Sequence, residues 1–185
     1  MSKFFTTINS GIYKGKKLAL PSSSTTRPTK AIVKGSFFDT YRYDLRGKVF
    51  IEMFGGSGSM AAEALSNGAK KAYAIEKDRD AFKLLSSNFS LISKDLVAIN
   101  GDSFKEIPTL LLGDEYILYI DPPFNIRDGF NDVYEKVIKL INSLDERVVL
   151  VTIEHASSVK FEEKIGKFSL IKSKKFGLTT LTYYA

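Results

Sequence analysis

The chain has 185 residues, of which 44% are hydrophobic and 26% charged, the proportions of an ordinary globular domain. It contains no cysteine and one histidine, which excludes disulfides, thiolate metal sites and histidine-rich metal sites. Because no run of about 18 apolar residues is present and the N-terminus lacks a long apolar segment, we expect no membrane span, no secretory signal and a cytoplasmic protein.

Positive charge is concentrated in the first quarter of the chain. The formal net charge is +6, and residues 1–48 hold ten Lys or Arg against two Asp, a net of +8. Residues 49–185 hold 17 basic and 19 acidic groups, a net of −2. We therefore expect a basic extension over 1–48 and a main domain over 49–185. The charge alone is compatible with polyanion binding and with a lysine-rich solvated surface.

The predicted elements change character at Val49. Short apolar groups alternating with glycine and lysine over 4–20 predict a small hairpin or extended arm, residues 21–28 a loop, and 29–43 a helix. From Val49 onward strands and helices alternate, which predicts an α/β domain with a mostly parallel seven-stranded sheet and helices on both faces. The predicted strands are 49–54, 71–76, 96–100, 116–121, 147–154, 168–176 and 178–184, and the predicted helices are 59–66, 78–92, 104–112 and 130–143.

The tetrapeptide Asp121-Pro122-Pro123-Phe124 is the most specific motif of the chain. It follows the apolar run 116–120, and two consecutive prolines end the predicted strand because neither has an N–H and both fix φ. Asp121 and the Pro122 carbonyl can accept the two N–H bonds of an amine on a planar ring, and Phe124 can stack on the face of that ring. The alternative is a structural Pro-Pro turn capped by Asp121.

A glycine-rich turn, Phe54-Gly55-Gly56-Ser57-Gly58, follows the first strand of the main domain and opens a helix. Glycines there let the backbone approach a ligand closely and leave helix N–H groups pointing at it. By itself the turn is compatible with a dinucleotide, a phosphate or an adenosine-type cofactor, and also with a tight turn that binds nothing.

Acidic residues end the next two predicted strands. Glu76, 18 residues after the glycine-rich turn, can accept both hydroxyls of a ribose, or it can pair with Lys77 or with solvent. Asp102 can accept from an adenine amino group, and Asp102 or Ser103 can also cap the next helix. Because ligands bind outside the C-terminal ends of parallel strands, we expect these residues, the glycine-rich turn and the Pro-Pro motif to share one sheet edge.

These motifs, in this order, resemble the class I S-adenosylmethionine-dependent methyltransferases and, more narrowly, the RsmD family, bacterial enzymes that methylate the N2 amine of a guanine in 16S ribosomal RNA. The resemblance covers almost the whole chain. It is carried by Gly11 and Gly15 with Lys14, Lys16, Lys17 and Leu18, by Arg27-Pro28-Thr29, by Phe54–Gly58, by Glu63–Ala69, by Glu76-Lys77 and by Asp121–Phe124. The chain departs from the family pattern at Gly35, Glu52 and Gly55.

The resemblance implies a Rossmann-like fold, S-adenosylmethionine as cofactor, no metal, and 16S rRNA within an assembling small ribosomal subunit as partner of a monomeric enzyme. It implies that the catalytic residues are Asp121, Pro122, Pro123 and Phe124. The implied cofactor-binding residues are Phe54, Gly55, Gly56, Ser57, Gly58, Glu76, Lys77, Asp102 and Ser103. The implied RNA-binding residues are Lys14, Lys16, Lys17, Arg27, Lys30 and Lys34.

Two alternatives to guanine methylation stay open. The Asp-Pro-Pro-Phe motif also occurs in adenine-N6 DNA methyltransferases, but these need a target-recognition insertion, and few residues separate Phe124 from the next predicted helix. The second alternative is a catalytically dead RNA-binding module on the same fold. The intact acid and both prolines of the motif argue against it.

Overall fold

An α/β body preceded by a small two-stranded arm makes up the fold of the computed structural model, which describes residues 4–21, 28–123 and 131–185. The strands are β1 (Phe5–Thr7), β2 (Lys17–Ala19), β3 (Val49–Met53), β4 (Lys71–Glu76), β5 (Leu96–Asn100), β6 (Tyr116–Ile120), β7 (Val148–Ala156), β8 (Lys164–Ile165), β9 (Phe168–Phe176) and β10 (Thr179–Tyr184). The helices are α1 (Pro28–Tyr41), α2 (Ser59–Ser66), α3 (Arg79–Ser90), α4 (Ser103–Leu110) and α5 (Asn131–Ser143). Within these three ranges, no helix has the length and apolar character needed to cross a bilayer.

The main sheet has the strand order β5-β4-β3-β6-β7-β10-β9-β8. Strands β5, β4, β3, β6 and β7 are parallel, and β10, β9 and β8 add antiparallel pairs, which confirms the predicted mostly parallel sheet. The sheet has eight strands where seven were predicted, because the two-residue strand β8 is too short to show an alternating pattern. The strand order reverses between β3 and β6, and open α/β sheets bind ligands at such a switch point.

Helices cover both faces of the sheet. On one face, Phe37 of α1 packs against Phe50 of β3 and Tyr119 of β6, with ring centroids 6.0 and 5.3 Å apart. On the other face, Ile107 of α4 and Val137 of α5 are fully buried in a second apolar cluster. Side chains two positions apart along a strand point to the same face of the sheet. Tyr119 therefore shares the α1 face with Asp121, the acid of the Pro-Pro motif.

The arm formed by β1 and β2 is fixed to helix α2. Glu63 of α2 is 1% exposed, and its carboxylate accepts from the backbone N–H groups of Asn9 and Ser10 at 2.8–3.0 Å. At Gly11 (φ +80°) an added Cβ would lie 1.8 Å from the Ser66 carbonyl oxygen, so the close approach of the arm to α2 requires glycine. The arm is therefore a docked part of the structure.

A single side chain also joins the arm to the glycine-rich turn. Asn88 of α3 is buried, and its amide exchanges hydrogen bonds of 2.9 and 3.0 Å with the backbone of Ala19 in β2. The same amide nitrogen donates to the Ser57 carbonyl at 3.0 Å. The arm and the glycine-rich turn thus share one anchoring residue.

Within the described part of the chain, only the beginning of strand β9 is paired on its outer edge. Its pairing with β8 involves Ser169 and Phe168 alone. Further along the strand, Lys172, Lys174 and Lys175 are exposed. Lysines of this kind are common on edge strands because they discourage another strand from pairing there.

Candidate active site

The glycine-rich turn between β3 and α2 is held against two neighbouring elements. The Gly55 N–H donates to the Ile75 carbonyl of β4 at 2.8 Å. At Gly58 (φ +75°) an added Cβ would lie 2.3 Å from the Phe89 ring of α3, so this position has no room for a side chain. Phe54 adopts φ 58°, a left-handed conformation that costs a non-glycine residue about 1–2 kcal/mol. The turn is thus a fixed piece of backbone at the sheet edge.

Glu76 ends β4, and its carboxylate is bonded to the glycine-rich turn. Its Oε2 accepts from the Gly56 N–H at 2.9 Å, and its Oε1 accepts from the Asp78 N–H at 2.8 Å. Each carboxylate oxygen has a further lone pair, so Glu76 can still accept hydroxyl groups. The ammonium of Lys77 lies instead beside Asp102, 3.3 Å from its Oδ2.

Asp102 and Ser103 form the start of helix α4. Asp102 caps the helix, since its Oδ1 accepts from the Phe104 N–H at 3.1 Å. Ser103 is 5% exposed, and its Oγ accepts from the Phe54 N–H at 3.4 Å, which connects α4 to the glycine-rich turn. The capping role is therefore present, and the Asp102 carboxylate, about 30% exposed, also faces the cleft that Glu76 lines.

Two clefts open on either side of Phe54. The first, which we call the acidic-turn cleft, has a volume of about 1110 Å³, and its lining includes Glu76, Asp102, Phe104 and Pro123. The second, the carboxylate cleft, has a volume of about 410 Å³, and its lining includes Phe5, Lys30, Glu52, Tyr119, Asp121 and Glu154. Small-molecule sites usually occupy about 300–1,000 Å³, so each cleft is large enough for a ligand. The clefts are side by side along the edge where the sequence analysis placed the site.

Asp121 follows β6 directly and faces the carboxylate cleft, with 23% of its side chain exposed. The strand ends at Ile120, one residue before the predicted end, and Pro122 is buried whereas Pro123 is exposed. The Lys30 ammonium of α1 donates to Asp121 Oδ2 at 3.3 Å. Burial raises the pKa of Asp121, and the Lys30 charge opposes that rise. Phe124, the last residue of the motif, lies outside the described residues.

Two further carboxylates, which the sequence analysis assigned no role, line the carboxylate cleft. Glu52 of β3 is 6% exposed and accepts from the Ala61 N–H at 2.8 Å, and burial raises its pKa to about 8. Glu154 of β7 is 5% exposed and accepts from the Tyr119 hydroxyl at 2.7 Å. Burial and the nearby Asp121 raise the pKa of Glu154 to about 7. The sequence did contain a signal for both residues, because each is a single acid within an otherwise apolar strand. A charged side chain is costly to bury, so such an acid indicates a specific role.

Metal binding finds no support in this cluster of acids. Across residues 4–21, 28–123 and 131–185, no group of three or more His, Cys, Asp or Glu side chains is arranged to hold a metal ion. The ammonium of Lys30 lies at this cluster, and its charge opposes the rise that burial causes in the pKa of Glu52 and of Glu154. The cleft lining therefore combines three carboxyl groups with two lysines, Lys30 and Lys34.

The residues predicted to bind RNA occupy different places. Lys14, Lys16 and Lys17 are exposed on the arm, as a phosphate-binding role requires. Lys30 is about half exposed, but its ammonium lies at Asp121 rather than on an open surface. Arg27 lies outside the described residues.

The prediction that Lys34 binds RNA is wrong. Lys34 is 6% exposed, and its ammonium lies 3.1 Å from Glu63 Oε2 and donates to the Thr7 carbonyl at 2.9 Å. Both contacts are internal, so the charge of Lys34 holds the arm to α2 and is not available to a phosphate. Sequence charge could not reveal this, because a lysine inside a basic segment looks the same whether or not its partner is buried.

Comparison with known proteins places the chain among methyltransferases. It is 25% identical over 184 residues to the Bacillus subtilis protein named "Putative rRNA methyltransferase YlbH", covering 95% of this chain and 96% of that one. It is 28% identical over 148 residues to Ribosomal RNA small subunit methyltransferase D of Escherichia coli K12, covering 78% and 72%. The solved structure "Putative methyltransferase yhhF" from Escherichia coli superposes with a TM-score of 0.75 at 25% identity, covering 98% and 97%.

A family profile described as Conserved hypothetical protein 95 matches residues 6–185, which is nearly the whole chain. The match spans the arm, the glycine-rich turn, the acidic strand ends and the Pro-Pro motif. It confirms the resemblance on which the sequence analysis relied. The chain belongs to the Conserved hypothetical protein 95 family, the RsmD family, and has the Rossmann-like class I methyltransferase fold.

Proposed function

We propose that the chain transfers a methyl group from S-adenosylmethionine to the exocyclic N2 of a guanine in 16S rRNA. One observation carries the proposal: the carboxylate of Asp121 stands at a proline-fixed strand end, in a cleft separated by Phe54 from a second cleft lined by Glu76. A rigid acceptor beside a cofactor-sized cleft suits the methylation of an amine. The names of the relatives support ribosomal RNA as the substrate class.

The residues at the glycine-rich turn suit S-adenosylmethionine chemically. Glu76 would accept from the ribose hydroxyls, the turn from Phe54 to Gly58 would bring backbone close to the cofactor, and Asp102 with Ser103 would flank the adenine. Lys77, paired with Asp102, would help to orient that carboxylate. When bound, the cofactor supplies an electrophilic methyl group on a sulfonium. The protein's task is then to exclude water and to align the attacking amine.

The guanine amine is a weak nucleophile because its lone pair is delocalised into the ring. Asp121 and the Pro122 carbonyl each accept one N–H, which fixes the amine and favours its rehybridisation toward the methyl carbon. S-adenosylmethionine, held by Glu76 and the glycine-rich turn, would supply the methyl carbon for the new N–C bond, and its sulfur would keep the electron pair of the S–C bond. The proton that N2 loses afterwards passes to Asp121 or to water. We propose that Phe124 stacks on the base, and that Pro123 fixes the corner.

RNA would contact the basic extension over residues 1–48, which includes the arm. We propose that Lys14, Lys16, Lys17 and Arg27 bind phosphates, and the exposure of the three arm lysines supports this. The target base must be unpaired or flipped out, because the cleft of about 410 Å³ admits a base and not a duplex. We further propose that the enzyme acts in the cytoplasm as a monomer, without a metal, on an assembling small subunit.

The first test replaces Asp121 by alanine. We expect turnover on 16S rRNA to fall by about 100-fold or more, while calorimetry shows S-adenosylmethionine binding changed by less than about threefold, because Asp121 contacts the amine and not the cofactor. The matched control is Asp44→Ala, an exposed acid on the loop after α1. Near wild-type turnover of Asp121→Ala would contradict the catalytic assignment.

A second measurement identifies the methylated base. RNA is incubated with the enzyme and labelled cofactor, digested to nucleosides and separated, and we expect N2-methylguanosine. A methylated adenine, or methylation of DNA in place of RNA, would contradict the proposal in favour of an adenine-N6 enzyme. No heat of S-adenosylmethionine binding would favour the RNA-binding module without catalysis.

A further inference from the structure

Glu154 stands beside Asp121 in a way that suits recognition of the target base. Ile120 and Ile153 are paired in the parallel ladder of β6 and β7, so the next residues, Asp121 and Glu154, occupy equivalent places on adjacent strands. Such strands are about 4.8 Å apart. Both side chains line the carboxylate cleft, so two acceptors converge on the space where a base would sit.

Three other polar side chains of the carboxylate cleft, those of Glu52, Lys30 and Tyr119, are less suited to this task. Glu52 is directed toward α2, where it accepts from the Ala61 N–H. Lys30 is a donor only. Tyr119 donates to Glu154 Oε2 and thereby fixes the Glu154 side chain. Glu154 is thus a buried, oriented acceptor next to the acid that holds the amine.

The Watson–Crick edge of guanine presents the N1–H donor directly beside the N2 amine. Adenine differs at this point, because its N1 is an acceptor. We propose that Glu154 accepts the N1–H of the target guanine while Asp121 holds its N2 amine, so that Glu154 selects guanine over bases with an acceptor at N1. This inference rests on the proposed function and assigns the base specificity of the same site. Both the ionised and the neutral carboxyl keep an accepting oxygen, so guanine can bind in either state.

The selection would work by repulsion as much as by attraction. A base with a lone pair at N1 would face the carboxylate without a donor between them, and the buried oxygen would lose its partner. The amine would then be held at the wrong distance from the methyl group. Glutamine at position 154 would remove the repulsion, because its amide offers both an acceptor and a donor.

The test compares guanine with 2-aminopurine, which keeps the N2 amine but has an acceptor at N1. A fragment of 16S rRNA spanning the position methylated in the proposed-function experiment is made with either base at that position. At about pH 8.5, above the pKa of Glu154, we expect wild-type kcat/KM to favour guanine by about 10- to 100-fold. In Glu154→Gln we expect this preference to shrink by about tenfold or more.

The ratio between the two bases separates recognition from loss of structure, because misfolding lowers both rates alike. Glu163→Gln, an exposed glutamate remote from the carboxylate cleft, should keep the wild-type ratio. Wild-type enzyme that methylates both fragments equally well would overturn the inference, whether or not the variant folds, and so would an unchanged ratio in Glu154→Gln. Wild-type enzyme that methylates no guanine would overturn the proposed function and, with it, this inference.

Discussion

At the scale of single residues, the charge on Asp121 is set by two opposing influences. Burial at the end of β6 favours the neutral acid, and the Lys30 ammonium 3.3 Å away favours the carboxylate. Among the residues that the structure describes, the titratable groups around Asp121 also include Glu52 of β3, Tyr119 of β6, Glu154 of β7 and Tyr134 of α5, and the ammonium bonded to Asp121 is that of Lys30. Lys30 therefore favours the ionised form of Asp121, which accepts the substrate N–H more strongly than the neutral acid does and can also take up its proton.

Replacing Lys30 by methionine should raise the pKa of Asp121, because burial then acts without the opposing charge. The ionised form is the active one, and it is present above that pKa. The rise of kcat/KM with pH should therefore shift to higher pH in Lys30→Met, and activity at high pH should largely recover.

Two comparisons isolate the effect of the Lys30 charge. Lys30→Arg keeps a cation at the site, and we expect its pH profile to stay near that of the wild type. Lys17→Met removes a charge on the exposed arm, so it should weaken RNA binding without moving the profile. If kcat/KM of Lys30→Met rises over the same pH range as that of the wild type, Lys30 does not control the protonation of Asp121.

At the scale of elements, the sequence was most informative where pattern and local chemistry agree. The strands at 71–76 and 96–100 and the helix at 59–66 have the predicted bounds, because each contains a clear apolar pattern and a glycine follows two of them, at Gly68 and Gly101. The Pro-Pro corner could be predicted as well, because the two prolines directly follow an apolar run and Asp121. Glu154 and Lys34 were harder to interpret, because their roles depend on partners 35 and 29 residues away in the chain. Contacts between elements of that separation leave no local signal.

The docking of the arm to α2 depends on one buried carboxylate, and its loss should be costly. In Glu63→Ala, the Asn9 and Ser10 N–H groups lose their acceptor and the Lys34 charge is left buried without its partner. We expect the free energy of unfolding to fall by about 3–5 kcal/mol, measured by urea denaturation. Adding Lys34→Met should restore part of this loss.

The exposed α5 residue Glu135 provides the matched control for the arm experiment. Glu135→Ala should change the free energy of unfolding by no more than about 0.5 kcal/mol. A loss of similar size in Glu63→Ala would mean that the arm is held by its apolar residues, such as Ile8 and Leu18, and not by the Glu63 network.

At the scale of the whole molecule, the net positive charge and the candidate catalytic groups belong to different parts of the chain. The net charge of +8 belongs to residues 1–48, the segment that contains the arm and α1, whereas the acidic groups of the two clefts belong to the body. A polyanion would therefore be drawn to the arm first. Because phosphate contacts release counterions, RNA affinity should fall steeply with salt.

The salt dependence can be assigned to individual lysines. Each of Lys14→Ala, Lys16→Ala and Lys17→Ala should reduce the slope of log K against log salt by about 0.7–0.9 if that lysine contacts a phosphate. Lys83→Ala, an exposed lysine of α3 that pairs with Asp80, should leave the slope unchanged. The measurement is filter binding of 16S rRNA over a range of potassium chloride. Slopes equal to that of the wild type in all three arm variants would contradict RNA binding by the arm.

The lysines along β9 affect how molecules of this protein associate at high protein concentration. A second molecule adding a strand to that edge would place its own Lys172 and Lys175 near those of the first, and the like charges would repel. High salt screens this repulsion, because the Debye length is only about 3 Å at 1 M ionic strength. The high salt that weakens RNA binding would therefore also lower the barrier to association between the sheets of two molecules. Purification at high salt concentration should accordingly give a less homogeneous sample.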